Sequence, residues 1–235
     1  MKKTEKMNRK ELDKKVTFIF LEASIETIPP KLQNRPSILK ESRRRNKKPE
    51  EILLDDSKHH FLMRSLENFR KRGRPDILHM CLLSVLDSRA SKYADIYVHT
   101  QKGELIKFSN KLRLPRNYNR FVGLVEDLFV KKSIRAQGET LIEFSNLDLE
   151  ELLNSLESNE LILFTEKGRH SEEELNLKKE CTIMIGAFPH GDFEKTTLKI
   201  LEKFDVIDIS LGSENLTSLY VTNRIICLWE TKNLK

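Results

Sequence analysis

An α/β fold with a parallel sheet flanked by helices, carrying an inserted basic and β-hairpin extension, is what this sequence predicts. Three observations lead there. From about residue 160 short apolar strands alternate with helical stretches, the pattern of a parallel sheet. The chain of 235 residues suits one domain of generous size. Charge is segregated: residues 1–135 carry 32 Lys and Arg against 17 Asp and Glu, and residues 136–235 carry 10 against 19. A heavily charged surface of the thermophilic kind would explain 33% charged residues but not their separation by sign. The basic part is suited to a polyanion.

The elements follow in order. Residues 1–15 read as a disordered basic tail, and 16–235 as the folded domain. Val16–Leu21 is β-branched and aromatic, hence a buried strand. Residues 35–50, with Arg43, Arg44, Arg45, Lys47 and Lys48, read as a loop or excursion outside the core. Asp55, Asp56 and Ser57 open a helix that carries Leu62, Leu66 and Phe69 on one face and ends in Arg70, Lys71 and Arg72. Pro75 starts a helix over 76–88 that is apolar on all sides. Residues 95–100 and 104–108 flank Gln101-Lys102-Gly103 as a hairpin. Pro115 starts a helix with a core stripe of Phe121, Leu124, Val125 and Leu128, and 147–156 forms another. Strands over 160–165, 181–188 and 206–211 then alternate with a capping box at Ser171 and Glu174, a helix over 197–204 and a closing helix over 217–230.

Several function classes drop out. No run approaches the roughly 20 apolar residues of a membrane span, so no membrane partner is expected. Cys81, Cys181 and Cys227 are odd in number and far apart, which excludes a disulfide scaffold and places the chain in a reducing, cytoplasmic compartment. Dinucleotide, P-loop, zinc-protease and nucleophile-elbow motifs are missing from the sequence, and its six histidines suggest no metal site. His79, in an apolar run, reads as a hydrogen-bonded core residue.

Two constellations stand out. Four of the eight glycines, Gly168, Gly186, Gly191 and Gly212, sit at the carboxyl ends of the last three strands. Parallel sheets place ligand sites at these strand ends, where glycine permits close backbone approach to a cofactor, although glycine also ends strands for purely local reasons. The basic part holds Arg72-Gly73-Arg74-Pro75-Asp76, where Asp76 can fix the Arg74 guanidinium in one pose. It also holds Arg113, Arg116 and Arg120 around the start of a helix, with Tyr118 as a stacking ring.

RGRPDILHMCLLSVLDS (72–88), YVHT (97–100), RLPRNYNRFVGLVEDLF (113–129), IGAFPHGDF (185–193) and TNRIICLWE (222–230) together resemble one family. It is the ribosome-biogenesis pseudouridine N(1)-methyltransferase family, called essential for mitotic growth in eukaryotes. The likeness runs in order over about 16–230, and the chain resembles archaeal-type members in lacking long insertions.

The resemblance implies a SPOUT-type α/β fold with a C-terminal trefoil knot, a homodimer, and S-adenosylmethionine held in the knot loops. It implies a pseudouridine of small-subunit ribosomal RNA as acceptor, with ribosomal proteins as further partners during assembly. By the same likeness Arg74, Arg113, Arg116 and Arg120 contact RNA, and Asp76 steadies Arg74 or, by proximity alone, serves as base. Cofactor contacts carry over to Phe164 or Thr165, to Gly186, Gly191, Asp192 and Phe193, and to Leu211, Gly212, Ser213, Glu214, Asn215 and Leu216. The last loop departs from the family's by one residue, which leaves its individual contacts open. Leu219, Ile226 and Trp229 of the closing helix are expected to cover the partner subunit. The rival reading is an assembly factor that binds RNA without catalysis; a methyltransferase acting on another base is a third.

Overall fold

The computed structural model describes residues 15–156, 160–177, 180–212 and 214–234. The first part of the expected basic tail, residues 1–14, lies outside them. In chain order the elements are β1 (Val16–Ala23), α1 (Pro36–Arg45), α2 (Asp56–Met63), α3 (Pro75–Leu86), β2 (Ala94–Thr100), β3 (Leu105–Phe108), α4 (Tyr118–Lys131), β4 (Ser133–Ala136), β5 (Glu139–Phe144), α5 (Leu149–Ser155), β6 (Leu161–Phe164), β7 (His170–Ser171), β8 (Cys181–Gly186), α6 (Lys195–Leu201), β9 (Val206–Ser210) and α7 (Ser218–Asn233).

Among the described residues one sheet of nine strands runs in the order β4-β5-β3-β2-β1-β8-β6-β9-β7. β1 pairs in parallel with β2 and β8, and β6 in parallel with β8 and β9. The predicted parallel sheet is therefore present from β2 to β7. The other edge is antiparallel: β3 folds back on β2, then pairs with β5, which pairs with β4. The 95–108 hairpin was legible in the sequence, with Gly103 at φ +82° in its turn. The β4–β5 hairpin was not, because its strands are half exposed and lack an apolar run.

Alternation along β1 explains the layers. Val16, Phe18 and Phe20 face a core built with Leu78, Leu82, Val125, Ile225 and Trp229 from α3, α4 and α7. Ile19 and Leu21 face the opposite core, with Leu149, Leu152, Met184 and Leu201 from α5, β8 and α6. A strand buried on both faces reads as a continuous apolar run, which is why VTFIFL was recognisable.

The basic segment corrects three expectations. Residues 35–50 are not an excursion: Pro36–Arg45 is a helix, and Ile38 joins a small core with Leu32, Leu54 and Met63. Its cations have a buried reason. Glu126 of α4 has no exposure, and its carboxylate accepts from Arg45 at 2.8 and 2.6 Å, from Lys47 at 2.8 Å and from the Leu53 N–H at 3.0 Å. Second, α2 stops at Met63, so Leu66 and Phe69 lie beyond it and Arg70 and Lys71 sit in a separate 3-10 turn, Phe69–Lys71. Third, α4 starts at Tyr118, capped by the Asn117 side chain, and not at Pro115. Asn117 accepts from the Arg120 N–H, so side-chain capping set the boundary rather than proline.

The closing helix also differs from expectation. Trp229 and Ile226 are 1% and 6% exposed and belong to this chain's own core, so they are not available to a partner.

Glu126→Gln keeps the volume and removes the charge that Arg45 and Lys47 face. It should lower stability by about 1.5–3 kcal/mol, read as a lower urea midpoint at an unchanged slope.

Candidate functional site

The carboxyl ends of β8, β6 and β9 lie side by side because the three strands are parallel neighbours. The loops leaving them, the start of α3 and the start of α7 enclose a cleft of about 700 Å³. Phe164 and Thr165 line it from β6, and Gly186, Gly191, Asp192 and Phe193 from the loop after β8. Leu211, Gly212, Glu214, Asn215 and Leu216 line it from the loop after β9. Ser213 lies outside the described residues. Arg74 and Asp76 face the same cleft from the start of α3, with Ile77 and Met80 one turn on.

Glycine is required at specific points here. A Cβ on Gly168 would stand 2.2 Å from the carbonyl carbon of Ile209, so only glycine lets the segment after β6 cross the end of β9. Gly191 and Gly212 take φ of +92° and +139°, backbone that other residues avoid. Gly186 ends β8, and its carbonyl accepts from the Ser218 hydroxyl at 2.5 Å, tying the cleft floor to the first turn of α7. Phe188 and Phe193 stand edge to face with centroids 5.4 Å apart.

The loop after β8 is held from the basic side of the molecule. Lys71 is 7% exposed and Glu22 1% exposed, and the two form a buried ion pair. The Lys71 ammonium also donates to the Asp192 carbonyl at 2.6 Å and lies 4.0 Å from the centre of the Phe188 ring. Glu22 accepts from the Glu194 N–H at 2.8 Å. Glu22 has φ +51° where β1 leaves its register with β2, a local irregularity that turns its carboxylate to this task. His99 lies beneath it, its Nδ1 3.4 Å from the Glu22 nitrogen, and burial holds its pKa below the usual imidazole value. In the sequence Lys71 reads as one of three cations that complement a helix C-terminus. The signal that could have found it is Glu22, a carboxylate in an apolar strand.

The two arginine sets separate. Arg74 makes a bidentate pair with Asp76, Nε to Oδ1 and Nη2 to Oδ2 both at 2.8 Å, and this bond raises the guanidinium's pKa further. The expected orientation of Arg74 by Asp76 is thus present. Both Asp76 oxygens are engaged by this one guanidinium. Arg113, Arg116 and Arg120 are exposed and do not line the cleft. Arg116 precedes α4 and pairs with Asp87 at 2.7 Å, so it and Arg120 are not neighbours on one helical face. Tyr118 is half-buried and its hydroxyl donates to Asp55 at 2.9 Å, so it is a link between α4 and α2 rather than a stacking ring. Burial alone would raise the Asp55 pKa, but the bonds from Ser57 and Tyr118 outweigh it and bring the pKa below the usual value. His79 is the hydrogen-bonded core residue expected, its Nε2 2.7 Å from the Pro115 carbonyl and its ring stacked on Phe121. His190 lines the cleft and is exposed. Among the described residues no cluster of three or more His, Cys, Asp or Glu could hold a metal ion.

Residues 18–230 match the EMG1/NEP1 methyltransferase family. The chain belongs to that family. It is 50% identical over 213 residues to the ribosomal RNA small subunit methyltransferase Nep1 of Archaeoglobus fulgidus, covering 91% of this chain and 94% of the relative. The Nep1 of Pyrococcus furiosus is 36% identical over 231 residues, covering 95% and 100%. The crystal structure of Archaeoglobus fulgidus Nep1 bound to S-adenosylhomocysteine superposes with a TM-score of 0.86 at 46% identity, covering 94% of this chain and all of that one. The α/β fold inferred from the strand–helix alternation is therefore the fold of a solved family member.

Lys71→Met leaves Glu22 buried without its counter-charge and should cost about 3–5 kcal/mol. Glu22→Gln in the same chain should recover much of that loss, which urea unfolding of the single and double variants would show.

Proposed function

We propose that this protein transfers the methyl group of S-adenosylmethionine to N1 of a pseudouridine in small-subunit ribosomal RNA, in the cytoplasm, during ribosome biogenesis. One observation carries the reading: all eleven described residues expected to hold the cofactor line a single cleft, and Arg74 and Asp76 line it too. A cleft of this size suits a nucleoside-sized ligand. Glycine backbones at its floor admit close approach, and Glu166 and Glu214 on its walls suit a cofactor with positive charge, while the Asp192 carboxylate is paired with Lys167 at 2.6 Å. The named relatives act on small-subunit ribosomal RNA, and the solved one binds S-adenosylhomocysteine, the demethylated cofactor.

When bound, S-adenosylmethionine supplies a methyl group on a positive sulfur, already activated for displacement. What remains for the protein is alignment and exclusion of water. The loop after β8, clamped through Lys71 and Glu22, would hold the cofactor against the strand ends. Arg74, fixed by Asp76, would receive the target nucleotide once it is flipped from its loop. Asp76 acts here as a positioning residue, and the N1 proton passes to water. Arg113, Arg116 and Arg120, outside the cleft and exposed, would hold RNA phosphates around it.

The reading includes a homodimer and the trefoil knot. Met80 on α3 and Tyr220 on α7 are 46% and 52% exposed on two helices that pack together beside the cleft, apolar surface that a second copy would cover. The passage of the Gly168 segment over β9 and the place of β8 between β1 and β6 are what a knotted path needs.

Uridine carries its ribose on N1, whereas pseudouridine presents N1–H. Incubation with S-adenosylmethionine should methylate an RNA loop containing pseudouridine and leave the uridine loop unchanged. Titration calorimetry should show cofactor binding without RNA. Absence of both binding and transfer would overturn the proposal in favour of a non-catalytic RNA binder. Asp76→Asn makes the protein more positive but breaks the bidentate pair. It should weaken RNA binding or turnover about tenfold or more, since bonds of this kind contribute roughly 1.5–3 kcal/mol. A diffuse basic surface would instead bind RNA more tightly.

A further inference from the structure

Residues 25–74 hold 14 Lys and Arg against 7 Asp and Glu. The fold makes their surface more basic than this. Glu26 and Asp55 are buried and Glu41 is half-buried against His59 and Arg45, while nine of the cations stay exposed against two acids, Glu50 and Glu67. Within this surface Phe61 of α2 is 82% exposed, against 54% for Val130, the next most exposed large hydrophobic residue described. Its ring meets His60 edge to face at 5.8 Å, and the Arg64 guanidinium carbon stands 5.5 Å from the ring centre. Asp56, His60 and the C-cap residue Arg64 form a ladder along this helix, with contacts of 2.8 and 3.3 Å that order the imidazole and the guanidinium beside the ring.

The position of α2 ties this surface to the cleft. The Asp56 N–H donates to the Gly73 carbonyl at 2.8 Å, immediately before Arg74. Asp55, its cap, accepts from Tyr118 of the second arginine set. Phe61 lies five residues further, about 7.5 Å along the helix axis. A protein partner would need a contiguous apolar patch, but Lys58, His60, Arg64 and Ser65 surround this ring, and α2 turns Met63 inward. A nucleobase needs only one aromatic face with a cation for its phosphate.

We propose that the exposed face of α2 is a second RNA-binding site, in which an unpaired base of the ribosomal RNA beside the target loop stacks on Phe61 while Arg64 contacts a neighbouring phosphate. This rests on the RNA substrate proposed above. The test uses the full chain and a ribosomal RNA fragment holding the pseudouridine loop with single-stranded flanks. Phe61→Ala should lose about 5- to 150-fold in RNA affinity, the range for removing one stacked base. Phe61→Trp should bind like the unaltered protein. Because stacking releases no counterion, Phe61→Ala should leave the salt slope unchanged, while Arg64→Ala should reduce it by about 0.7. Cofactor affinity should not change in any variant. Equal RNA affinity for Phe61→Ala and the unaltered protein at every salt concentration would overturn the second site alone. A drop in mass by light scattering with RNA affinity intact would also overturn it and make the face a subunit contact. If the unaltered protein bound S-adenosylmethionine but no RNA fragment, the substrate assignment and this site would fall together.

Discussion

The buried pair of Lys71 and Glu22 is the contact on which the geometry of the cleft depends. It joins three parts of the chain far apart in sequence: the irregular end of β1, the turn before the Arg74 motif, and the loop after β8. Two charges taken from water repay their desolvation only when the remaining polar atoms are also bonded. Here they are. The ammonium has the Asp192 carbonyl and the Phe188 ring, and the carboxylate has the Glu194 N–H. The segment rich in arginine therefore cannot shift without moving the loop that bears Gly191. A surface suited to RNA and a loop suited to a cofactor are held in one register by a single side chain.

The same device recurs through residues 25–74. Glu126 gathers Arg45 and Lys47, Glu26 takes Arg72 in a bidentate pair at 2.6 and 2.7 Å, and Asp55 takes Tyr118. In each case a buried acid faces inward and receives a group from another element. The segment has its own small core, which includes Ile28, Leu32, Ile38, Leu54 and Met63, and it reaches the main core through Ile25 and Leu53. Directional bonds to buried carboxylates add to this packing. The consequence is a division of the basic residues. Some are consumed inside as struts, and the others, with Arg74 beside the cleft, remain outside for a polyanion.

Much of this was legible in the sequence where the physics is local. β1 was clear because burial on both faces makes an unbroken apolar run, and the hairpin after it because Gly103 meets a turn that needs positive φ. The helix start at Asp55 and the box at Ser171 and Glu174 stand where side chains accept neighbouring N–H groups. The strand-end glycines pointed to the cleft because close backbone approach is a property of the residue itself. The readings that failed were those in which a residue's partner lies far off in sequence. Arg45 and Lys71 look like solvated charges until Glu126 and Glu22 are placed against them. Trp229 looks like an interface residue until α3 and α7 pack and Tyr93 meets its ring at 5.8 Å.

By itself, then, the sequence determined the alternation of strands and helices, the caps and turns, the separation of charge, and the residue types at the strand ends. Each follows from a chemical preference felt within a few residues. Only the tertiary structure decided the order of the strands, with β8 placed between β1 and β6, and the antiparallel edge. It alone decided which cations are buried struts and which remain exposed, and that Arg74 shares the cleft while Arg113, Arg116 and Arg120 do not. A charge in a sequence carries no record of its counter-charge. Desolvation makes that pairing decisive, and only the folded chain brings the partners together.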